Sequence, residues 1–236
     1  MPARWQHATV VAVHDETPRA RTLRLRLDGR TEHRAGQHYV VRLTAPDGYT
    51  ASRSYSVASP PGGGDDIDLT VERLDDGEVS TFLHDVLEVG DELEVRGPIG
   101  GYFVWDATTP ALLVGGGSGL APLMAMLRLA RARTTDPAPD ELVHLLVSVR
   151  SPDDLYYADE LRDRADATVL HTRVAPPGWP RPPGRLTADD VRPHLRPDQS
   201  VFVCGSAPFT NAVGDLLLAL GVAAERVRFE RFGPSA

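Results

Sequence analysis

The stretch Leu112-Leu113-Val114-Gly115-Gly116-Gly117-Ser118-Gly119-Leu120-Ala121-Pro122 constrains this chain more than any other. Its apolar run predicts a buried strand, and Ala121 to Arg133 carries the pattern of a following helix. The glycines between them let backbone approach a bulky ligand closely. A strand, a glycine turn and a helix N-terminus form an anion cradle, because unpaired N–H groups and the helix dipole both point at the bound charge. A dinucleotide pyrophosphate is the natural occupant. The spacing is G-x-G-x-x-P, with Pro122 where the common dinucleotide fingerprint has a third Gly or Ala.

On either side of this stretch the chain follows different rules. From Trp5 to about Val104, short alternating segments are separated by turns: Thr9 to Val13, Leu23 to Leu27, Tyr39 to Leu43, Ser54 to Val57, Ile67 to Val71 and Leu93 to Val95. In the second of these, Leu23, Leu25 and Leu27 face inward and the intervening arginines face water. Six such strands predict an antiparallel β-barrel, closed or nearly so, with one short helix from about Gly77 to Val86. After Trp105, apolar strands alternate with helices at Ala121 to Arg133, Leu155 to Arg164 and Phe209 to Leu220. That rhythm predicts an α/β doubly wound parallel sheet. The expected division is residues 1–106 for the barrel domain and 107–236 for the α/β domain. Pro176-Pro177-Gly178-Trp179-Pro180 reads as an exposed loop.

Composition narrows the function classes. The chain carries a net charge of -8 and contains no Lys, so every fixed side-chain cation is an Arg. An acidic chain without basic tracts argues against nucleic-acid partners, which require clustered positive charge. No apolar run approaches the roughly 20 residues that span a bilayer, and Met1 to His14 lacks a signal pattern, so membrane insertion is not expected and a cytoplasmic location is. Cys204 is the single cysteine, which rules out an internal disulfide and a four-thiolate [2Fe-2S] cluster within these residues. The eight His fall in no ligand spacing, and no metal site is expected.

A second glycine-opened helix start, Gly77 to Thr81, offers another place for phosphate, and two cradles in two domains imply two nucleotides. Upstream, Arg53-Ser54-Tyr55-Ser56 lies on a barrel strand, with Arg53 and Tyr55 on one side and Ser54 and Ser56 on the other. Taken in order, Arg53-x-Tyr55-Ser56, Gly77-x-x-Ser80, Gly97-Pro98-x-Gly100-x-Tyr102-Phe103, Gly117-x-Gly119-x-x-Pro122 and Cys204-Gly205-x-x-x-Phe209 resemble the ferredoxin-NADP reductase superfamily over nearly the whole length. The resemblance is greatest to its compact reductase components that lack an iron-sulfur domain.

This resemblance implies an FAD-binding barrel and an NAD(P)-binding domain. It implies that Arg53 pairs with the FAD phosphates, that Tyr55 lies against the isoalloxazine, and that Ser56 hydrogen-bonds near flavin N5, with Ser54 beside them on the same strand. Gly77, Val79 and Ser80 would serve the pyrophosphate, which favours FAD over FMN, and Glu78 would turn its carboxylate to solvent. Gly97-Pro98 takes a structural role. In the second domain Gly117, Gly119 and Pro122 hold the pyridine nucleotide, and Cys204 and Gly205 stand beside the nicotinamide. Glu230 lies close to the nicotinamide, and Phe232 covers the flavin face. A lone Cys or a last-strand Phe is otherwise ordinary core.

The choice of pyridine nucleotide turns on the end of the second parallel strand, where an acid binds a ribose hydroxyl and an Arg accepts a 2′-phosphate. Arg150 favours NADPH over NADH, Asp153 and Asp154 directly downstream weigh the other way, and Arg173 is either a surface residue or a second phosphate contact. The implied reaction is hydride transfer from NAD(P)H to flavin, followed by electron delivery to a ferredoxin or iron-sulfur oxygenase component, including one that feeds a haem monooxygenase. A reductase of free flavin or ferric chelates and a non-catalytic nucleotide sensor are the rival readings. Residues 61–94 are strongly acidic, so an acidic ferredoxin is expected to dock on the Arg-bearing surface of the first 50 residues.

Overall fold

A computed structural model of the chain describes residues 3–133 and 138–233. The first half is a six-stranded antiparallel sheet of β1 (Trp5–Thr17), β2 (Ala20–Arg26), β3 (His38–Thr44), β4 (Thr50–Ser56), β5 (Asp66–Glu72) and β6 (Glu92–Ile99), with helix α1 (Glu78–Asp85) between the last two. Strand order is β4-β3-β6-β1-β2-β5. The outer strands β4 and β5 meet through a Val57–Leu69 bridge, and Ala58 N–H donates to the Asp68 carbonyl at 2.8 Å. The sheet therefore closes at one end of that seam, which agrees with a nearly closed barrel. Leu23 and Leu25 of β2 and Leu27 beyond it are buried with Tyr39, Val41 and Ile67, as their alternation requires. Gly97-Pro98 lies inside β6 and does not end it.

The outward arginines find partners across the ladder. β2–β5 pairing sets Arg24 against Asp68 at 2.8 Å and Arg26 against Asp66 at 2.9 Å. Arg42 meets Glu94 at 2.7 Å across β3–β6, and Arg19 meets Asp75 at 2.8 Å. This reduces the expected basic docking surface: strand register and the β2 turn bring acids of residues 61–94 onto Arg19, Arg24, Arg26 and Arg42, and Arg21 pairs with Asp15, while Arg4, Arg30 and Arg34 meet no carboxylate among the described residues.

The second half is a parallel sheet of β7 (Ala111–Gly116), β8 (Val143–Val149), β9 (Ala167–His171), β10 (Ser200–Ser206) and β11 (Val227–Phe232), in the order β11-β10-β7-β8-β9. Its helices are α2 (Leu120–Arg131), α3 (Pro139–Leu142), α4 (Ala158–Leu161), α5 (Ala188–Val191) and α6 (Ala207–Ala219). The chain steps outward from β7 to β9 and then returns to β7's other side, so the order reverses between β7 and β10. Open α/β sheets bind ligands at that reversal. Helix α2 is buried on nearly every face, because it packs on the parallel sheet and also on Ala35, Ala58, Phe103 and Trp105 of the barrel half and its exit segment. Pro122 sits in the first turn of α2, where a missing N–H breaks no helical bond.

The helix expected over Leu155 to Arg164 does not form. A 3-10 turn at Pro152–Asp154 and the four-residue α4 replace it, and Tyr157 and Asp163 adopt φ of 56° and 54°. Tyr156 and Tyr157 are drawn into the interface, where the Tyr157 N–H donates to Glu16 Oε2 at 2.9 Å. The left-handed backbone of Tyr157 and the extended backbone of Arg162 interrupt the right-handed helical run.

Candidate functional site

The C-terminal ends of β7, β10 and β11 build one side of the site. Gly117 to Gly119 form a 3-10 turn that leads into α2, with Gly117 at φ 56°. Gly119 is required by a close approach, since a Cβ there would lie 2.3 Å from the Cys204 carbonyl oxygen. In register, Cys204 pairs with Gly115 on one side and Glu230 on the other, while Gly205 pairs with Arg231 and Ser206 with Phe232. Ser206 caps α6, its hydroxyl accepting from the Phe209 N–H at 3.4 Å.

Alternation sends Phe202 and Cys204 toward α2 and the barrel, and Val201 and Val203 toward α6. Phe232 packs on the same barrel-facing cluster. Cys204 is fully buried, and burial raises its thiol well above the ordinary range, with the neighbouring Glu230 adding to the effect. The thiol therefore stays protonated and is a poor nucleophile. Burial also pushes the Glu230 carboxyl up to about 7, and its Oε2 is buried with no hydrogen-bond partner. Such an orphaned acid is a costly feature that a bound polar group would satisfy.

The barrel supplies the other side. Arg53 pairs in register with Val41, Ser54 with Val40, Tyr55 with Tyr39 and Ser56 with His38. Arg53 is exposed, its Nη1 donates to the Ser52 carbonyl at 2.7 Å, and among the described residues no carboxylate pairs with it. Ser54 is exposed, whereas Tyr55 is partly covered by the barrel core. Burial raises the Tyr55 phenol, which remains a donor. Ser56 is 5% exposed, and its hydroxyl makes no hydrogen bond among the described residues.

At α1, Gly77 is an N-cap without a side-chain bond, and the N–H groups of Glu78, Val79 and Ser80 have no partner among the described residues. The Ser80 hydroxyl is not aimed outward as expected. It donates to the Gly77 carbonyl and accepts from the Leu74 N–H, each at 3.2 Å, and so braces the loop while its backbone N–H stays free. The exposed Glu78 accepts from Tyr49 Oη at 3.2 Å.

At the ends of β8 and β9, Arg150 and Arg173 are both exposed and are joined by the Arg173 N–H donating to the Arg150 carbonyl at 2.9 Å. Neither guanidinium pairs with a carboxylate among the described residues. Asp154 accepts from Ser151 Oγ at 2.6 Å. A free guanidinium and a free helix N-terminus on the barrel, with a glycine cradle and an unpaired acid on the parallel sheet, fit two phosphate-bearing cofactors meeting between the halves. Sequence reasoning passed over Arg128, Tyr157 and Glu16, which join the halves, because none lies in a recognisable motif.

Residues 7–104 match the family of oxidoreductase FAD-binding domains, and residues 113–215 match that of oxidoreductase NAD-binding domains. The ferredoxin reductase component of 3-ketosteroid-9-alpha-monooxygenase from Mycobacterium tuberculosis is 32% identical over 238 residues, covering 94% of this chain. This chain spans only 64% of that relative's length. The ferredoxin--NAD(P)(+) reductase component of the naphthalene 1,2-dioxygenase/salicylate 5-hydroxylase systems of Ralstonia sp is 30% identical over 99% of this chain and 71% of its own.

Among solved structures, the FAD/NAD binding domain of nitric oxide dioxygenase from Vibrio cholerae O1 biovar El Tor superposes with a TM-score of 0.83 at 23% identity, covering 99% of this chain and 100% of its own. Phthalate dioxygenase reductase superposes with a TM-score of 0.77 at 21% identity, over 98% of this chain and 69% of its own. Both share the fold. No helix among the described residues is long and apolar enough to cross a membrane. With both domain families matched in order and a 30% identical relative covered over most of its length, the chain belongs to the ferredoxin-NADP reductase superfamily and carries its FAD-binding and NAD(P)-binding domains.

Proposed function

We propose that the protein is an NAD(P)H-dependent flavoprotein reductase that passes electrons to a separate ferredoxin or iron-sulfur oxygenase component. The observation that carries this reading is the placement of Cys204 at the strand-order reversal, with Glu230 and Phe232 beside it on β11 and Cys204 and Phe232 in the cluster that packs toward the barrel. When bound, FAD supplies a hydride acceptor at N5 and a means of releasing electrons singly. Residues up to about 106 form the FAD half, and those from about 107 the pyridine-nucleotide half.

Within this reading, Arg53 and the open N–H groups of Glu78, Val79 and Ser80 neutralise the FAD phosphates. Tyr55 supports the flavin ring, and Ser56 offers a hydroxyl near N5. Gly117, Gly119 and Pro122 shape the cradle for the second dinucleotide. Cys204 acts by shape and not as a nucleophile: its buried, protonated thiol bounds the nicotinamide pocket beside Gly205. Glu230 holds a proton near neutral pH and orients the nicotinamide by a hydrogen bond. Phe232 covers the flavin face until nicotinamide displaces it. The paired, unneutralised Arg150 and Arg173 select NADPH over NADH through its extra phosphate. No side chain acts as a general base, since the protein's part is positioning at about 3 to 3.5 Å and electrostatics.

Relatives named as reductase components of oxygenase systems support the same kind of acceptor here. Anaerobic stopped-flow mixing of the FAD-loaded protein with NADPH and with NADH tests the reading. Rapid bleaching of flavin absorbance is expected, faster at low concentration with NADPH. Cytochrome c reduction that rises when a ferredoxin is added is expected as well. A protein that retains FAD but is never bleached by either nucleotide is not a reductase.

A further inference from the structure

Arg128 and Tyr157 belong to no cofactor motif, yet they join the two halves. Arg128 Nη1 donates to the Ala58 carbonyl at 2.8 Å, two residues beyond Ser56 on the flavin strand. Its Nε donates to Glu160 Oε2 at 3.0 Å, and its guanidinium lies 4.8 Å from the Tyr157 ring centroid. Tyr157 is 4% exposed and is anchored at both ends to the barrel. Its N–H donates to Glu16 Oε2 at 2.9 Å, and its hydroxyl bonds Thr70 Oγ1.

The direction of that network follows from donor counts. Thr22 gives its only hydroxyl proton to Glu16 Oε1 at 2.6 Å, so it accepts from Thr70 at 2.8 Å, and Thr70 in turn accepts from Tyr157. A closed ring of hydrogen bonds thus runs from the Tyr157 hydroxyl through Thr70, Thr22 and Glu16 back to the Tyr157 N–H. The residue holds φ at 56°, a conformation that costs a bulky side chain on the order of 1–3 kcal/mol and persists only where its surroundings impose it.

The mechanical consequence lies in α2. The helix starts at Leu120 beside the glycine cradle and reaches Arg128 about 12 Å further on, at a rise of about 1.5 Å per residue. A rigid rod held at Arg128 therefore sets where the cradle stands relative to β4. We propose that Arg128 and Tyr157 form a positioning clasp that fixes the pyridine-nucleotide cradle against the flavin strand. The clasp lies outside both cradles, and its role in hydride transfer rests on the function proposed above.

Three variants test it: Arg128→Gln and Tyr157→Phe, which weaken the clasp, and Arg131→Gln. The last removes the Arg131–Asp166 ion pair at 2.7 Å on the same helix but within the parallel-sheet half. For the FAD-loaded protein, calorimetry is expected to give one unfolding transition in the wild type and in Arg131→Gln, and two in the clasp variants. At saturating NADPH and at saturating NADH, the limiting rate of flavin reduction is expected to fall about tenfold or more in the clasp variants while the nucleotide dissociation constant stays within about twofold. Arg131→Gln keeps its limiting rate within about twofold.

A limiting rate that is unchanged in both clasp variants overturns the proposal, as does an equal fall in Arg131→Gln. If Arg128→Gln does not fold, Tyr157→Phe decides, because it keeps the ring beneath the guanidinium and removes one hydroxyl. If even the wild type is not reduced, the functional reading fails, and the unfolding transitions still judge whether Arg128 and Tyr157 couple the halves.

Discussion

Replacing Glu230 by Gln tests the electrostatics of the site through stability. Glu230 lies across from Cys204 with Oε2 buried and unpartnered, and burial raises its carboxyl from 4.5 to about 7. The folded protein thus keeps a proton that the unfolded chain releases above its own, lower pKa. That contribution to stability is complete below the unfolded value and is lost as pH climbs through about 7. At roughly 1.4 kcal/mol per pH unit, the full difference is about 3 kcal/mol. Glutamine keeps the shape and removes the titration. From about pH 5 to about pH 8.5, the variant should gain about 2 to 3 kcal/mol on the wild type. Urea unfolding of both proteins across this range, with FAD in fixed excess, measures the gain. Histidines held low by burial, such as His33, His38 and His144, titrate in both proteins and cancel in the difference. A stability difference that stays flat with pH refutes the reasoning, since Glu230 would then be ionised in the folded protein at neutral pH.

Arg53→Ala should weaken FAD about tenfold to a hundredfold, the loss of one charge-assisted contact, as read by ultrafiltration of the yellow protein; full occupancy at low FAD would remove Arg53 from the phosphate site. Arg150→Ala and Arg173→Ala should each raise the KM for NADPH about tenfold and leave that for NADH unchanged, and equal effects on both nucleotides would end the 2′-phosphate assignment. Gly119→Ala forces a Cβ to within 2.3 Å of the Cys204 carbonyl, so α2 must shift from β10. A destabilisation of about 1–3 kcal/mol in urea is expected, together with loss of pyridine-nucleotide binding while FAD is retained.

Much of the fold was legible from local pattern. The leucines at 23, 25 and 27 face inward because strand periodicity leaves no alternative once one side is buried. The glycine turn before α2 was readable because Gly119 has a backbone-level reason to be Gly. The helix expected at 155–164 failed for the opposite reason: its apolar and aromatic residues suit a helix, but Tyr157 takes a left-handed backbone that no right-handed helix contains, and its N–H is held by Glu16, 141 residues away. Likewise, Ser80 looked like a phosphate ligand by motif, yet the fold turns its hydroxyl into the Leu74–Gly77 loop.

By itself, the amino-acid order determined the alternation of strands and helices, the two glycine-opened cradles and their succession along the chain. These depend on spacings of two, three or four residues, which short-range sterics and burial enforce. Tertiary structure alone decided which charges remain free, which acid keeps its proton and which side chains join α2 to the barrel half. Arg24 and Arg26 of β2 lost their surplus charge only when β5 came alongside, and Glu230 acquired its raised pKa only when folding buried it beside Cys204. Desolvation and charge pairing act between groups remote in the chain, so no local pattern records them.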